Sequence, residues 1–333
     1  MKNKLKTVIN ELKKKFGNDI ILTGKELSTL KTDRVPTGSI WLDHILDGGL
    51  PRGRIVEMYG IQSSGKSLIA QRTVAQAQKQ ELDCVWFDAE GCFDPIFAQK
   101  LGVDTDKLTV VKTSEAERTF DMVAKFLDAK PAIIVVDSVA ALVPFFEIDN
   151  ETDKNTMALQ ARIMSKGLRK ITGLVGKANT LVIFINQLRE KLGSYGNPEI
   201  TSGGRALGFY ASVRIEVRRG EWITLKDMGK GSTQDEKKQR VGQVVKFNVT
   251  KSKVSKPHQL GSFRFFFNGV IDEADEIIAL LEYTKKIQRR GAYYIVGKDK
   301  FQGRVNFRKA VRKDQKLKDK LIKLLQDGIE KVD

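Results

Sequence analysis

The chain has 333 residues, of which 41% are hydrophobic and 30% charged, enough for one large globular core and a smaller satellite domain. No apolar run is long enough to span a bilayer, and two cysteines (Cys84, Cys92) with two histidines exclude a disulfide framework and speak against a structural zinc site. The formal net charge of +17 points to a polyanionic partner, nucleic acid first, and the lack of a secretory signal at the N-terminus gives the expectation of a cytoplasmic, reduced protein with no membrane role.

Leu5, Val8, Ile9, Leu12 and Phe16 carry the spacing of one helical face, so the spacing predicts a helix over 1–17 that Gly17 stops, followed by a short strand at "DIILTG". This segment, 1–34, stands apart from the core. From 35 to 270, apolar runs such as "RIVEMY", "CVWFDA", "AIIVVD" and "TLVIFIN" alternate with helical patterns, which implies an α/β core with a mostly parallel, doubly covered sheet. The later runs follow one another through turns and suggest an antiparallel edge. Residues 220–240 read as a polar, flexible excursion. Beyond 271 the pattern changes to a helix, a small hairpin and a basic helix pair over 305–329, a small basic α+β domain spanning 271–333.

Candidate chemistry sits at four strand ends. "YGIQSSGKS" matches Gly-x4-Gly-Lys-Ser between a strand and a helix. The backbone of Gly60, Ile61, Gln62, Ser63, Ser64 and Gly65 can cradle phosphates, Lys66 can reach the β/γ oxygens, and Ser67 can hold Mg²⁺. Asp137 closes the apolar run "AIIVVD", where a carboxylate needs a nearby cation such as phosphate-bound Mg²⁺. Glu90, beyond "CVWFDA", can polarise the water that attacks the γ-phosphate, and Gln187, beyond "TLVIFIN", can hydrogen-bond that phosphate and report whether ATP is intact. Ligands of open α/β sheets lie outside the carboxyl ends of the strands, where these four groups converge.

The polar stretch after Gln187, "SYGNPEITSGGR", offers glycines, hydroxyls and Arg205 to phosphate oxygens. A second excursion at 147–157 leads into a helix with Arg162, Ser165 and Arg169 along one side. Both are poor in aromatics, which leaves bases unstacked and able to pair.

With those motifs in hand, "GRIVEMYGIQSSGKS", "FDAEGCFDPIFAQKLGVD", "IIVVDSVAALVP", "LVIFINQLREKLG" and "GNPEITSGGRALGFYASVRIEVRR" resemble the bacterial RecA recombinase family, over about residues 5–300. The resemblance implies a RecA-like P-loop ATPase core and an ATP-dependent strand-exchange protein that polymerises as a helical filament on single-stranded DNA and pairs it with a homologous duplex. It assigns phosphates and Mg²⁺ to Lys66, Ser67 and Asp137, water activation to Glu90, and phosphate-to-loop coupling to Gln187. Asp94 and Phe97 fall where the family holds adenine, with Phe97 at a usual Tyr. Lys251 and Lys253 match lysines that reach the neighbouring subunit's ATP, and "NDIILTG" resembles the strand that adds to that subunit's sheet. For DNA the resemblance favours Arg162, Ser165, Arg169, Gly203 and Gly204, with Arg205 where Asn is usual. It favours Arg218, Arg219 and Lys246 for a secondary, duplex-facing site, with Asn248 in place of an expected Lys. The chain ends without the acidic tail many members carry, and easier duplex capture is the corresponding expectation.

A hexameric P-loop DNA helicase shares the P-loop, the acid and the sheet, and is the alternative. Closed rings rather than filaments would mark it.

Overall fold

The computed structural model describes residues 2–17, 21, 24, 32–146, 156–190, 199–228 and 233–326. The chain divides into two units, 1–33 and 34–333. In the first, α1 (Lys2–Phe16) forms as its apolar spacing predicts, and Gly17 N closes on Lys13 O. Leu5, Val8, Leu12 and Phe16 on its apolar face are exposed. Apart from residues 21 and 24, the strand expected at 19–24 lies outside the described residues, as do the excursion at 147–155 and loop residues 191–198, which include Tyr195.

The second unit opens with β1 (Arg34–Val35), α2 (Ile40–Ile45) and β2 (Leu50–Pro51), where β1 and β2 pair antiparallel. Nine strands then build the central sheet: β3 (Ile55–Gly60), β4 (Cys84–Asp88), β5 (Leu108–Lys112), β6 (Ile133–Asp137), β7 (Leu181–Glu190), β8 (Glu199–Thr201), β9 (Val213–Thr224), β10 (Arg240–Ser252) and β11 (Gln259–Phe266). Between them lie α3 (Lys66–Gln78), α4 (Pro95–Lys100), α5 (Ala116–Asp128), α6 (Thr156–Ala178), α7 (Ala206–Tyr210) and α8 (Gln234–Lys238). Sheet order is β11-β10-β9-β3-β7-β6-β4-β5, with β8 against the end of β7.

Alternation along the buried strands sends successive side chains to opposite faces. Ile133 and Val135 of β6 join one apolar cluster, with Leu68 and Val74 of α3; Ile134 and Val136 join another, with Phe120 of α5 and Leu168 of α6. Helices therefore cover both faces, as the apolar runs imply.

The antiparallel edge is narrower than expected. β9 runs parallel to β3, and the reversal comes with β10 and β11. The 220–240 segment is also more regular than a flexible excursion: β9 continues to Thr224 and pairs Trp222 with Gln243, Ile223 with Gly242 and Thr224 with Arg240. Cross-strand pairing explains the correction: past a register shift the ladder with β10 resumes, and Ile223 returns to the core although the nearby Glu221 is exposed. A short 3-10 turn (Lys226–Met228) follows, and then α8, held by a capping box between Thr233 and Glu236.

Past residue 272 come α9 (Glu273–Tyr283), β12 (Gln288–Arg290), β13 (Tyr293–Val296), β14 (Asp299–Gln302), α10 (Gly303–Lys313) and α11 (Gln315–Gln326). The expected hairpin is a three-stranded meander, because Asp299–Gln302 pairs along β13. A third apolar cluster, with Ile277, Leu281, Tyr294, Phe307 and Leu321, fills this lobe. Asp272 anchors it: the carboxylate caps α9 and takes the guanidinium of Arg312 at 2.5 Å and of Arg308 at 3.7 Å.

Candidate active site at the strand ends

Sheet order places β3, β7, β6 and β4 side by side. Gly60 lies directly opposite Gln187, and Asp88 opposite Asp137. The P-loop, Gln187, Asp137 and Glu90 therefore meet along one edge, as the four-strand argument requires.

The loop after β3 is built for close approach. A Cβ on Gly60 would stand 2.0 Å from Val217 O on β9, so no other residue fits without moving a strand. Helix α3 begins at Lys66 with Gly65 as N-cap and no side chain on its first N–H groups, an arrangement that favours an anion. Ser64 Oγ is buried without a hydrogen-bond partner. Lys66 Nζ turns back to donate to Gly60 O at 3.1 Å and Ile61 O at 2.8 Å. An orphaned hydroxyl, open helical N–H groups and a buried ammonium satisfied by its own loop's carbonyls fit a phosphate cradle. Burial lowers the Lys66 pKa, opposed by Asp137 and Glu90.

Asp137 ends β6 and accepts from the Ser67 hydroxyl; burial pushes its carboxyl up to about 6, opposed by that bond and by Lys66, while Glu90 and Asp88 add to the rise. A hydroxyl beside a desolvated carboxylate is a hard-oxygen donor pair that fits Mg²⁺, an ion that completes its shell with waters and substrate phosphates. Among the described residues no group of three or more His, Cys, Asp or Glu forms a closed metal cage.

Glu90 is exposed just past β4, its N–H bonded to Asp137 O at 3.3 Å. Its Oε1 accepts from Ser138 Oγ and from Gln187 Nε2, the latter at 3.0 Å. The expected base and the expected sensor are thus in contact.

Three further groups at this edge escape sequence reasoning. Asp88 is buried and its carboxylate accepts from Cys92 N and Phe93 N, which fixes the turn carrying Glu90. Asn186 Nδ2 donates to Glu57 Oε1 and to Ser202 O, both at 3.0 Å, while its Oδ1 accepts from Gln187 N at 2.9 Å. Ser202 N also donates to Gln187 O, so one amide ties together the departure and return of the glycine-rich loop. Glu57 is fully buried and takes Arg214 Nε on its other oxygen at 2.6 Å.

Asp94 and Phe97 stand at the start of α4. Asp94 Oδ1 caps that helix, accepting from Ile96 N and Phe97 N, and the half-buried Phe97 ring packs edge-on against Phe265 at 6.3 Å. Lys251 lies at the end of β10, two strands from β3, with Lys253 just past that strand, and neither joins this cradle. Lys251 Nζ donates to Gly208 O and Phe209 O at the end of α7, and burial, then Lys253 and Arg214, lower its pKa.

Arg162 and Arg169 are exposed on α6, with Ser165 half-buried between them. Gly203, in the left-handed region at φ +77°, presses on this helix: a Cβ there would meet Val139 at 2.9 Å and Met164 at 3.3 Å. One added at Gly204 would meet Ala161 at 3.0 Å. Ala161 and Met164 directly precede Arg162 and Ser165, so the glycine pair and the helix residues form one patch, with Arg205 exposed beside it. Arg218, Arg219 and Lys246 sit elsewhere, on β9 and β10, with Lys246 opposite Arg218.

A model of the RecA N-terminal domain matches residues 3–272. The chain belongs to the RecA family. It is 40% identical over 305 residues to Protein RecA of Gloeothece citriformis (strain PCC 7424), covering 91% of this chain and 83% of that protein. It is 43% identical over 305 residues to Protein RecA of Gloeobacter violaceus (strain ATCC 29082 / PCC 7421), covering 91% and 80%. Among solved structures, that of the RadB recombinase superposes with a TM-score of 0.53 at 19% identity, over 71% of this chain and 98% of that one, a likeness of fold. As a RecA-family member the chain is a DNA-dependent ATPase of the recombinase class, and nucleotide binding, DNA binding and self-assembly go with that membership. No helix among the described residues is long and apolar enough to cross a membrane.

Proposed function

We propose that the chain binds ATP and Mg²⁺ at the P-loop edge, polymerises as a helical filament on single-stranded DNA, and pairs that strand with a homologous duplex while hydrolysing ATP. Residues 60–65 and Lys66 hold the phosphates, and Ser67 with Asp137 holds Mg²⁺. The ion, when bound, supplies charge neutralisation on the phosphate oxygens. Glu90 accepts the proton of the attacking water as its oxygen bonds to the γ-phosphorus, and the bond to the β-phosphate oxygen breaks. Asp94 and Phe97 flank the base. Lys251 and Lys253 reach the neighbouring subunit's nucleotide and make turnover depend on assembly, as an arginine finger does. Arg162, Ser165, Arg169, Gly203, Gly204 and Arg205 hold the first strand; Arg218, Arg219 and Lys246 face the second DNA.

One observation carries the coupling in this reading: the 3.0 Å hydrogen bond from Gln187 Nε2 to Glu90 Oε1. A γ-phosphate oxygen competes with Glu90 for the same amide. When the amide moves to phosphate it releases the base and shifts the residue whose backbone closes on Ser202, next to Gly203 and Gly204 of the DNA-facing patch.

Electron microscopy with single-stranded DNA and a slowly hydrolysed ATP analogue tests the reading. Helical filaments are expected, absent in Lys66→Ala and retained in Glu90→Gln, whose turnover falls by at least about 100-fold. Closed rings would favour the helicase instead, and full hydrolysis by Glu90→Gln would remove Glu90 as the base.

A further inference from the structure

Two donors share one oxygen of the expected base. Glu90 Oε1 accepts from Gln187 Nε2 at 3.0 Å and from the Ser138 hydroxyl. They differ in how firmly they are held: Ser138 is buried, whereas Gln187 is half-buried on β7. A long, partly open amide side chain can swing to a phosphate, but a hydroxyl one carbon from a sealed backbone cannot follow it. The serine therefore keeps the carboxylate when the amide leaves.

The usual task of a serine in this place is absent. Ser138 is the N-cap of the 3-10 turn Val139–Ala141, yet its side chain accepts from none of the turn's N–H groups. Its carbonyl closes the turn instead, accepting from Ala141 N at 3.1 Å. Nor is this hydroxyl the one on Asp137, which is that of Ser67. The Ser138 hydroxyl is committed to Glu90, and a bond to a carboxylate of this kind is charge-assisted and directional.

The next residue reaches the other way. Val139 is fully buried, and a Cβ on Gly203 would stand 2.9 Å from its Cγ1. Gln160 Nε2, on α6, donates to Val139 O at 3.3 Å and to Leu142 O at 2.8 Å, so the helix grips both ends of the turn. Gln160 lies two residues before Arg162. Two consecutive residues thus touch the base on one side and the strand-binding patch on the other.

Resting on the proposed function, we infer that Ser138 is a positioning residue for Glu90, and that the Ser138–Val139 turn ties the base to the α6–Gly203 patch by a route that bypasses Gln187. A strand that presses on Gly203 or draws α6 shifts the turn, and the hydroxyl carries the shift to the carboxylate. Gln187 reports the phosphate, and Ser138 reports the DNA.

The test is a double-mutant cycle on the full-length protein, with ATP turnover measured without DNA and with a saturating single-stranded oligonucleotide. Ser138→Ala is expected to lower kcat about tenfold and to change KM for ATP by less than about twofold, as a misplaced base does and lost binding does not. Its thermal midpoint and its retention on the oligonucleotide are expected to match wild type. In a Glu90→Gln background the same change is expected to cost less than about twofold, because the serine acts through that carboxylate. An equal loss in both backgrounds overturns the positioning role, and so does full kcat in Ser138→Ala. Full hydrolysis by Glu90→Gln removes the proposed base itself and the positioning role with it.

The second route is read from the ratio of turnover with and without the oligonucleotide. Gln187→Ala is expected to retain a ratio of about 2, and Gln160→Leu to lower the wild-type ratio at least about twofold with DNA-free turnover unchanged. No stimulation in Gln187→Ala with the oligonucleotide bound, or an unchanged ratio in Gln160→Leu, overturns this route. If wild type itself shows no stimulation, the coupling in the proposed function falls and the second route with it, while the cycle without DNA still decides the positioning role.

Discussion

Glu57 and Glu276 are both sealed from solvent, yet their surroundings satisfy them by opposite means. Glu57, on β3 beside the nucleotide edge, is met by the Arg214 guanidinium on one oxygen and the Asn186 amide on the other. Glu276, on α9 where the C-terminal lobe packs on the core, accepts from Ser39 Oγ at 2.5 Å and Trp41 N at 3.4 Å, and its Oε2 is buried without a partner. Burial pushes its carboxyl up to about 8, opposed by the Ser39 and Trp41 bonds and reinforced by Asp43. Asp43 itself is pushed up to about 7, again by burial. Arg72, the cation facing this pair, is lowered by burial and drawn the other way by Glu273, Glu276 and Asp43. A buried carboxyl needs either a matched cation or a proton. Glu57 uses the first device, which builds a rigid polar network, and the lobe junction uses the second, which is sensitive to pH.

The contrast breaks most visibly at Glu57. Glu57→Ala strands the Arg214 guanidinium and one Asn186 N–H, and it is expected to destabilise the protein by about 3–5 kcal/mol, read as a shifted urea midpoint. A loss below about 1 kcal/mol would show that the pair contributes no more than a surface salt bridge.

At Glu276 the expected effect is smaller and depends on pH. Its folded pKa lies above the ordinary 4.5, so the fold favours the protonated form. The stability it contributes is complete below 4.5 and is lost as pH rises toward about 8, at up to about 1.4 kcal/mol per unit. Asp43 acts with the same sign toward about 7. Glu276→Gln keeps an acceptor for Ser39 and cannot ionise. Denaturation midpoints of the variant should therefore fall less steeply than wild type between about pH 5 and pH 8. Parallel curves would mean that Glu276 is ionised throughout that window.

What was legible in the sequence follows from how far each signal reaches along the chain. The P-loop and Asp137 are local patterns, each a strand end with its own motif, and parallel pairing alone brings them together. Glu57 sits inside "RIVEMY", where one acid looks like a break in an apolar run; its partner Arg214 is 157 residues away, and no local periodicity joins them. Ser138 and Asn186 adjoin residues that were singled out, but their roles depend on which neighbouring strand they face. Trp222 lies in a stretch whose polar composition suggests flexibility, and only cross-strand pairing brings Arg240 to its ring. Glu276 fits the helical pattern of α9 as an exposed acid, until the loop at Ser39 covers it.

The account rests on Gln187 linking the γ-phosphate and Glu90 to the DNA-binding loop. Steady-state ATP turnover by the full-length protein, measured with and without a single-stranded oligonucleotide, tests this most directly. A rise of at least about fivefold with the oligonucleotide is predicted, and identical rates would contradict the coupling.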